Sequence, residues 1–113
     1  MAIEVELDVF SGRPNPTWFL QARQEFELFK TINSLDPAAS HSFSRPPDLG
    51  YRGFVIKPED KNSIRIYNGT VSIDGAIKND PSRKLEKWLL KAAADTGSLD
   101  NALIEIVKAE LSS

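Results

Sequence analysis

The chain has no cysteine, one histidine and one methionine among its 113 residues. Without cysteine there are no disulfides and no thiolate nucleophiles or metal ligands, which fits a reducing cytoplasm. The single histidine, His41, supplies too few ligands for a zinc site, so the sequence predicts neither a metal site nor a cofactor. A nucleophilic pair of Ser11 and His41 would require a long irregular segment to fold over the first turn.

Long hydrophobic runs and blocks of like charge are also missing. The longest apolar runs are a few residues, far short of a membrane span. The N-terminus MAIEVELDVF lacks the basic and apolar regions of a signal peptide. We therefore expect a cytoplasmic protein that does not associate with a membrane. The net charge is −2, and nucleic-acid binding usually needs a basic surface, so it is the weakest of the function classes.

What the sequence does contain is the composition of one globular domain. A chain of 113 residues with 41% hydrophobic and 27% charged residues predicts a single domain, 1–113, with one core. From Ile3 to Val9, apolar and acidic residues alternate, which predicts a half-buried strand. Asn68-Gly69 lies between two alternating runs and predicts a hairpin with a type I′ turn.

Apolar residues three and four positions apart predict a first helix from about Gln21 to the residue before Asp36. Its predicted buried stripe consists of Ala22, Phe26, Phe29, Ile32 and Leu35, and Leu28 widens it. Asp80-Pro81 predicts the start of a second helix, because an acidic cap followed by proline is a common N-terminus. A third helix is expected after Ser98. Trp18 and Trp88 are expected in the core.

Between the first helix and the next strand, residues 36–48 (DPAASHSFSRPPD) predict an irregular loop. The resulting order of elements is β-β-α-β-β-β-α-α, and the turn residues favour antiparallel pairing. We therefore predict a two-layer α+β fold, with an antiparallel sheet of about four to five strands and the helices packed on one face.

The segment VFSGRPNPTWF follows the first strand and raises the question of a site. Pro14 and Pro16 restrict the backbone of the residues before them, so Arg13 and Asn15 are displayed by a stiff loop. Preorganised display of this kind lowers the entropic cost of binding a ligand. The structural alternative is that Asn15 satisfies backbone groups of its own loop.

Two further arginines lie beside tyrosines. Tyr51-Arg52 is flanked by glycines, and Arg65 is close to Tyr67 before the predicted hairpin turn. Arginine offers a rigid fork for a carboxylate or phosphate, and tyrosine adds a ring face and a hydroxyl. The predicted ligand-binding residues are Arg13, Asn15, Tyr51, Arg52, Arg65 and Tyr67. The alternative for Arg65 is an ion pair with one of the acids of the first strand.

These residues favour a small binding or interaction module that recognises an anionic small molecule or a protein partner. The alternative is a small enzyme in which Asp8, Glu6 or a tyrosine performs acid/base chemistry assisted by arginine. An apolar strip on the last helix could also form a homodimer. A concave pocket with a perturbed carboxylate would favour the enzyme, and a flat apolar patch would favour the interaction module.

Overall fold

The computed structural model describes residues 3–10, 12, 14–38 and 50–112, which contain six strands and three helices. The strands are β1 (Ile3–Leu7), β2 (Thr17–Phe19), β3 (Phe54–Pro58), β4 (Ile64–Tyr67), β5 (Thr70–Ile73) and β6 (Ala76–Asn79). The helices are α1 (Ala22–Ser34), α2 (Lys84–Asp95) and α3 (Asn101–Ser112), and a short 3-10 segment, Pro81–Arg83, precedes α2.

The six strands form one antiparallel sheet in the order β2-β1-β3-β4-β5-β6. The predicted α+β class and antiparallel pairing are confirmed, with one strand more than expected. The additional strand is β6, which an Asp74-Gly75 turn joins to β5. The sequence prediction missed it because only Ala76 and Ile77 are apolar in its four residues, too few for a clear alternation.

Strand β1 shows why one face of the sheet is buried. Ile3, Val5 and Leu7 are almost completely buried, whereas Glu4 and Glu6 between them keep partial exposure. Side chains alternate between the two faces of a strand, so this sequence puts apolar groups inward and carboxylates outward. The inward side chains join those of the helices in one hydrophobic core. The outward face of the sheet is therefore the polar one.

The predicted position of α1 is confirmed, but its buried stripe is only partly correct. Leu28 and Ile32 are completely buried and face the core, whereas Ala22 and Phe26 are exposed. Residues two positions apart in an α-helix point about 200° away from each other around the axis. When Leu28 faces the core, Phe26 therefore faces the solvent. The predicted core position is confirmed for Trp18, whereas Trp88 is only partly buried.

Helix α2 begins at Lys84, four residues after the predicted start at Asp80. The 3-10 segment fills the interval, and Ser82 and Arg83 both have left-handed backbone conformations (φ 59° and 56°). Asp80 still acts as an acceptor for the helix, because both its carboxylate oxygens lie within 3.0 Å of Leu85 N. The expected capping chemistry is therefore present, with a longer approach to the helix.

Part of the predicted irregular loop is ordered along the edge of the sheet. Asn79 N donates to Asp36 O (2.8 Å), and Ala38 N donates to Ile77 O (2.9 Å), so residues 36–38 run beside β6. This pairing covers backbone groups that an edge strand would otherwise expose. The remainder of the predicted loop, 39–48, lies outside the described residues.

Candidate functional site

The sheet register brings most of the predicted site residues to one end of the molecule. Leu7 at the end of β1 lies opposite Phe54 at the start of β3, and Phe54 lies opposite Ile66 near the end of β4. The residues after β1, before β3 and around the β4–β5 turn are therefore neighbours. This end carries two clusters of polar side chains. Arg13 lies outside the described residues.

Asn15 connects the proline-rich loop to β1. Its Oδ1 accepts hydrogen bonds from Val9 N (3.0 Å) and Phe10 N (2.7 Å). Its Nδ2 donates to Glu6 Oε2 (2.7 Å) and to Asp8 Oδ1 (3.3 Å). One side chain thus satisfies two backbone donors and contacts two carboxylates. This agrees with the alternative in which Asn15 satisfies backbone groups of its own loop.

Asp8 lies between two arginines. Arg52 Nε and Nη2 are 3.0 and 2.9 Å from Asp8 Oδ1, and Arg65 Nη2 donates to Asp8 Oδ2. Arg52 Nη2 also donates to Phe10 O (2.6 Å), so it holds the start of the loop as well. The side chains of Asp8 and Arg52 are 14% and 15% exposed, whereas that of Arg65 is 35% exposed. The Asp8 cluster consists of Glu6, Asp8, Asn15, Arg52 and Arg65.

A local irregularity before β3 explains how Arg52 reaches Asp8. Asp8 N donates to Gly53 O (2.9 Å), and Arg52 N donates to Asp8 O (2.7 Å), so two successive residues face Asp8, the residue after β1, as in a β-bulge. Gly53 has φ +97°, and a Cβ on it would lie 2.3 Å from Ile66 O. Regular alternation would place Arg52 on the buried face with Phe54, and the extra residue carries it to the polar face.

The carboxylates of the Asp8 cluster are held ionised. For Asp8, burial opposes ionisation, but the hydrogen bonds from Arg52 and Arg65 outweigh it, so its pKa lies below the usual value. For Glu6, hydrogen bonds from Lys57 (2.6 Å) and Asn15 lower the pKa. Efficient acid/base catalysis needs a pKa near the working pH, so neither carboxylate is tuned for proton transfer at neutral pH.

The second cluster surrounds Glu86, whose side chain is 0% exposed. Arg83 donates from Nε to Glu86 Oε2 and from Nη2 to Glu86 Oε1, both over 2.9 Å. The Tyr51 hydroxyl donates to Glu86 Oε1 (2.7 Å), and Gly69 N donates to Glu86 Oε2 (3.0 Å). A buried carboxylate needs such partners, and this one has four hydrogen bonds. The Glu86 cluster consists of Tyr51, Tyr67, Gly69, Arg83 and Glu86.

Aromatic rings enclose the guanidinium group of Arg83. Its central carbon lies 6.0 Å from the ring centroid of Tyr51 and 5.9 Å from that of Tyr67. The two tyrosine rings are themselves 5.9 Å apart. Contacts of a cation with ring faces at this distance are favourable and grow stronger away from water. Arg83 is thus fixed by the rings and by Glu86 together.

Protonation in the Glu86 cluster follows from its contacts. Burial opposes ionisation of Glu86, but hydrogen bonds from Arg83, Tyr51 and Gly69 outweigh it, so the pKa of Glu86 is lowered. Burial, followed by the charge of Glu86, raises the pKa of Tyr51. Tyr51 therefore stays protonated and Glu86 stays ionised around neutral pH. Asp80 has a raised pKa because it is buried, and its carboxylate is occupied by the start of α2.

The predicted site residues are thus distributed over two clusters. Asn15, Arg52 and Arg65 belong to the Asp8 cluster, and Tyr51 and Tyr67 belong to the Glu86 cluster. The ion pair anticipated for Arg65 with an acid of the predicted first strand exists, with Asp8 as the partner.

The sequence prediction missed Arg83 and Glu86. A signal for Glu86 was available, because it occupies the same helical stripe as the buried residues Leu89, Leu90 and Ala93. A carboxylate in an apolar stripe indicates a buried partner. Arg83 carried no comparable signal. Its backbone is left-handed, but a left-handed conformation is expected from sequence mainly at glycine, and this position is an arginine.

Comparison with protein-family models, curated proteins and solved structures finds no match to this chain. Among the residues that the structure describes, no group of three or more His, Cys, Asp and Glu side chains is arranged to hold a metal ion. No helix in the described part of the chain has both the length and the apolar character needed to span a membrane.

Proposed function

We propose that this protein is a small cytoplasmic binding module that recognises an anionic group through Arg65 on the Asp8 cluster. The observation that carries the proposal is the partly exposed guanidinium of Arg65, which Asp8 holds at one nitrogen. Among the described residues, Nε and Nη1 of Arg65 have no hydrogen-bond partner. Each bidentate edge of a guanidinium pairs Nη2 with either Nε or Nη1. Nη2 carries two N–H groups and Asp8 takes one of them, so one edge of Arg65 remains as a planar fork for a carboxylate or phosphate.

The surroundings of Arg65 support preorganised binding. Asp8 is held by Arg52 from a second side, and Asn15 fixes the loop that follows β1. A side chain that is already ordered loses less entropy when a ligand binds. We assign Arg52 the role of positioning Asp8, because its guanidinium binds Asp8 and the carbonyl oxygen of Phe10.

The chemistry of the outer face limits the ligand to a localised anion. Glu4 and Glu6 lie on the same face as Arg65, and a long polyanion laid across the sheet would approach both. A single carboxylate or phosphate on a small molecule, or an acidic side chain of a protein partner, contacts Arg65 without extending along the row of carboxylates, so it meets less of that repulsion. Nucleic acid remains the weakest candidate, in line with the net charge of −2.

The enzyme alternative draws no comparable support from the described residues. Glu6 and Asp8 have lowered pKa values, and Tyr51 has a raised one. Lowering a carboxyl pKa makes the group a weaker base, and raising a tyrosine pKa makes it a weaker acid. Both changes move these groups away from proton transfer at neutral pH.

Thermal shift against a panel of anionic probes tests the proposal. The panel contains inorganic phosphate, small dicarboxylates and nucleotides, and each shift is measured against the unliganded baseline of the same variant. A ligand at 100 times its Kd stabilises by about 2.7 kcal/mol. We expect a shift with at least one probe that Arg65→Ala abolishes, while Arg23→Ala, which alters an exposed arginine on α1, preserves it.

Two results would overturn the proposal. One is the absence of a shift with every probe. The other is a shift of equal size in the wild type and Arg65→Ala, which would place the anion elsewhere. Arg65→Lys separates charge from geometry, because lysine keeps the charge but loses the fork. A binding site that needs the fork loses most of its affinity in Arg65→Lys.

A further inference from the structure

A groove with an apolar floor runs between α2 and α3, on a different surface from the Asp8 cluster. Its cavity volume is about 380 Å³. The floor is formed by Leu90 and Ala94 of α2 and by Ile104 and Leu111 of α3. The spacings of four in α2 and seven in α3 keep these side chains on the facing stripes of the two helices.

Three lysines form the rim of this groove: Lys87 and Lys91 on α2, and Lys108 on α3. Lys91 Nζ lies 3.0 Å from Asp95 Oδ2, and both side chains are largely exposed, so this pair neutralises the rim only weakly. Lys87 and Lys108 have no ion pair among the described residues. The groove therefore combines an apolar floor with a positive rim on which two of the three lysines have no ion pair among the described residues.

We infer that this groove binds an amphipathic anion, a molecule with an apolar chain and one carboxylate head. The chain would lie on the floor between the helices, and the carboxylate would meet the lysine ammonium groups at the rim. The head group stays near water there, so it avoids the large cost of burying a charge. A concave, mostly apolar site with a few placed polar groups is the usual form of a small-molecule site, and the volume falls within the usual range.

A second copy of this chain fits the groove poorly. A two-fold symmetric contact places the same patch on both partners, so it would bring one lysine rim against the other. Juxtaposed like charges disfavour such a contact. The homodimer considered for the last helix therefore finds no support at this surface.

A helix from a protein partner is the competing occupant. The lining residues of α2, from Lys87 to Ala94, cover about 10 Å along the helix axis. Stable protein interfaces bury about 800 Å² on each partner, which a groove of two helical turns supplies only in part. The size of the groove thus favours the small amphipathic anion.

Titration with decanoate below its micellar concentration, followed by backbone amide NMR, tests this inference. Decyltrimethylammonium is the matched probe, because it has the same chain length and the opposite charge. We expect saturable shifts of α2 and α3 amides with decanoate and a Kd at least tenfold weaker for the cation. The charge-reversed variant Lys87→Glu/Lys108→Glu should weaken decanoate binding by about tenfold or more and strengthen binding of the cation.

Lys61→Glu is the control, because it reverses an exposed lysine in the β3–β4 turn and should leave decanoate binding unchanged. The circular dichroism spectrum verifies that each variant is folded. Equal affinity for the two probes, shifts outside the groove, or unchanged binding in the double variant would overturn the inference. So would an acidic amphipathic peptide that occupies the groove when decanoate does not, since the ligand would then be a protein partner. Retained decanoate binding in Arg65→Ala would show that the groove works independently of the Asp8 cluster.

Discussion

Asn15 Nδ2 donates a hydrogen bond to Glu6 Oε2 over 2.7 Å, while Asn15 Oδ1 accepts hydrogen bonds from the backbone of the loop that follows β1. The side-chain amide thus donates to a carboxylate on the acidic face of the sheet and accepts hydrogen bonds from the backbone of Val9 and Phe10. The prolines on either side stiffen the segment, but this amide fixes where it lies.

The substitution Asn15→Asp separates the two uses of the amide. The acceptor remains, but the donor is replaced by a carboxylate close to Glu6 and Asp8. We expect a loss of about 1–2 kcal/mol in the free energy of unfolding at pH 7, where the new carboxylate is charged. The loss should shrink toward pH 4, because repulsion raises the pKa of the new group and the folded state then takes up its proton. Urea denaturation at both pH values measures this.

Asn62→Asp is the control for that experiment, since Asn62 is exposed in the β3–β4 turn. A loss of the same size in both variants would show that added negative charge, and not the position of Asn15, is responsible.

Glu86→Gln should reveal the buried ion pair through its dependence on pH. At pH 7 the variant leaves Arg83 without its charged partner, and we expect a loss of about 3 kcal/mol or more. The folded pKa of Glu86 lies below its usual value of 4.5, so the unfolded chain binds more protons as the pH falls. The stabilisation by Glu86 is present above pH 4.5 and is lost as the pH falls through the folded pKa.

The difference between wild type and Glu86→Gln should therefore narrow between pH 5 and pH 3. Urea denaturation at pH 7, 5 and 3 gives the three differences directly. A difference that stays constant over this range would contradict a charged, hydrogen-bonded Glu86.

Two tyrosines allow a matched test of the hydroxyl contact. Tyr51 donates to the ionised Glu86, whereas the Tyr67 hydroxyl has no hydrogen-bond partner among the described residues. Tyr51→Phe should cost about 1.5–3 kcal/mol, the usual range for a hydrogen bond to a charged group. Tyr67→Phe keeps its ring beside Arg83 and should cost less than about 0.5 kcal/mol. Equal losses in thermal denaturation would show that the Tyr51–Glu86 hydrogen bond contributes nothing specific.

Gly53→Ala and Gly75→Ala distinguish backbone conformation from steric contact. Both glycines have positive φ, but an added Cβ would meet nothing within 4 Å at Gly75 and would lie 2.3 Å from Ile66 O at Gly53. Gly75→Ala should cost about 1 kcal/mol from conformation alone. Gly53→Ala should cost clearly more, because the obstacle is the backbone of β4. Similar unfolding midpoints for the two variants would contradict the close packing of the bulge against β4.

The parts of the fold that local chemistry determines were predictable from the sequence. The alternation in β1 and the Asn68-Gly69 turn each depend on residues that are neighbours in the sequence. As a type I′ turn requires, both residues of that turn have a positive φ, 51° for Asn68 and 76° for Gly69. The buried face of α1 was predicted less well. Helical spacing put both Phe26 and Leu28 in the predicted stripe, and which of them is buried depends on how the helix packs on the sheet. Packing of that kind is a tertiary property that helical spacing alone does not determine.

The contacts between residues of the candidate site were harder to predict from the sequence. The bulge at Gly53 decides that Arg52 reaches Asp8, and the left-handed Arg83 decides that its guanidinium reaches Glu86. Neither conformation has a clear local signature, and Arg52 and Asp8 are 44 positions apart in the chain. The Arg65 ion pair was anticipated, whereas the pairing of Arg52 with Asp8 and of Arg83 with Glu86 required the tertiary structure. Their role in ligand binding stays a prediction.

The most direct test of the proposed function follows the arginine side chains themselves. Nε–Hε resonances of ¹⁵N-labelled protein are recorded during titration with the anionic probe that gives the largest thermal shift, or with inorganic phosphate at low salt. We predict a saturable shift of the Arg65 resonance and none for Arg23, which is exposed but lies on α1. An unchanged Arg65 resonance, or the same small drift for both arginines, would contradict an anion site on the Asp8 cluster.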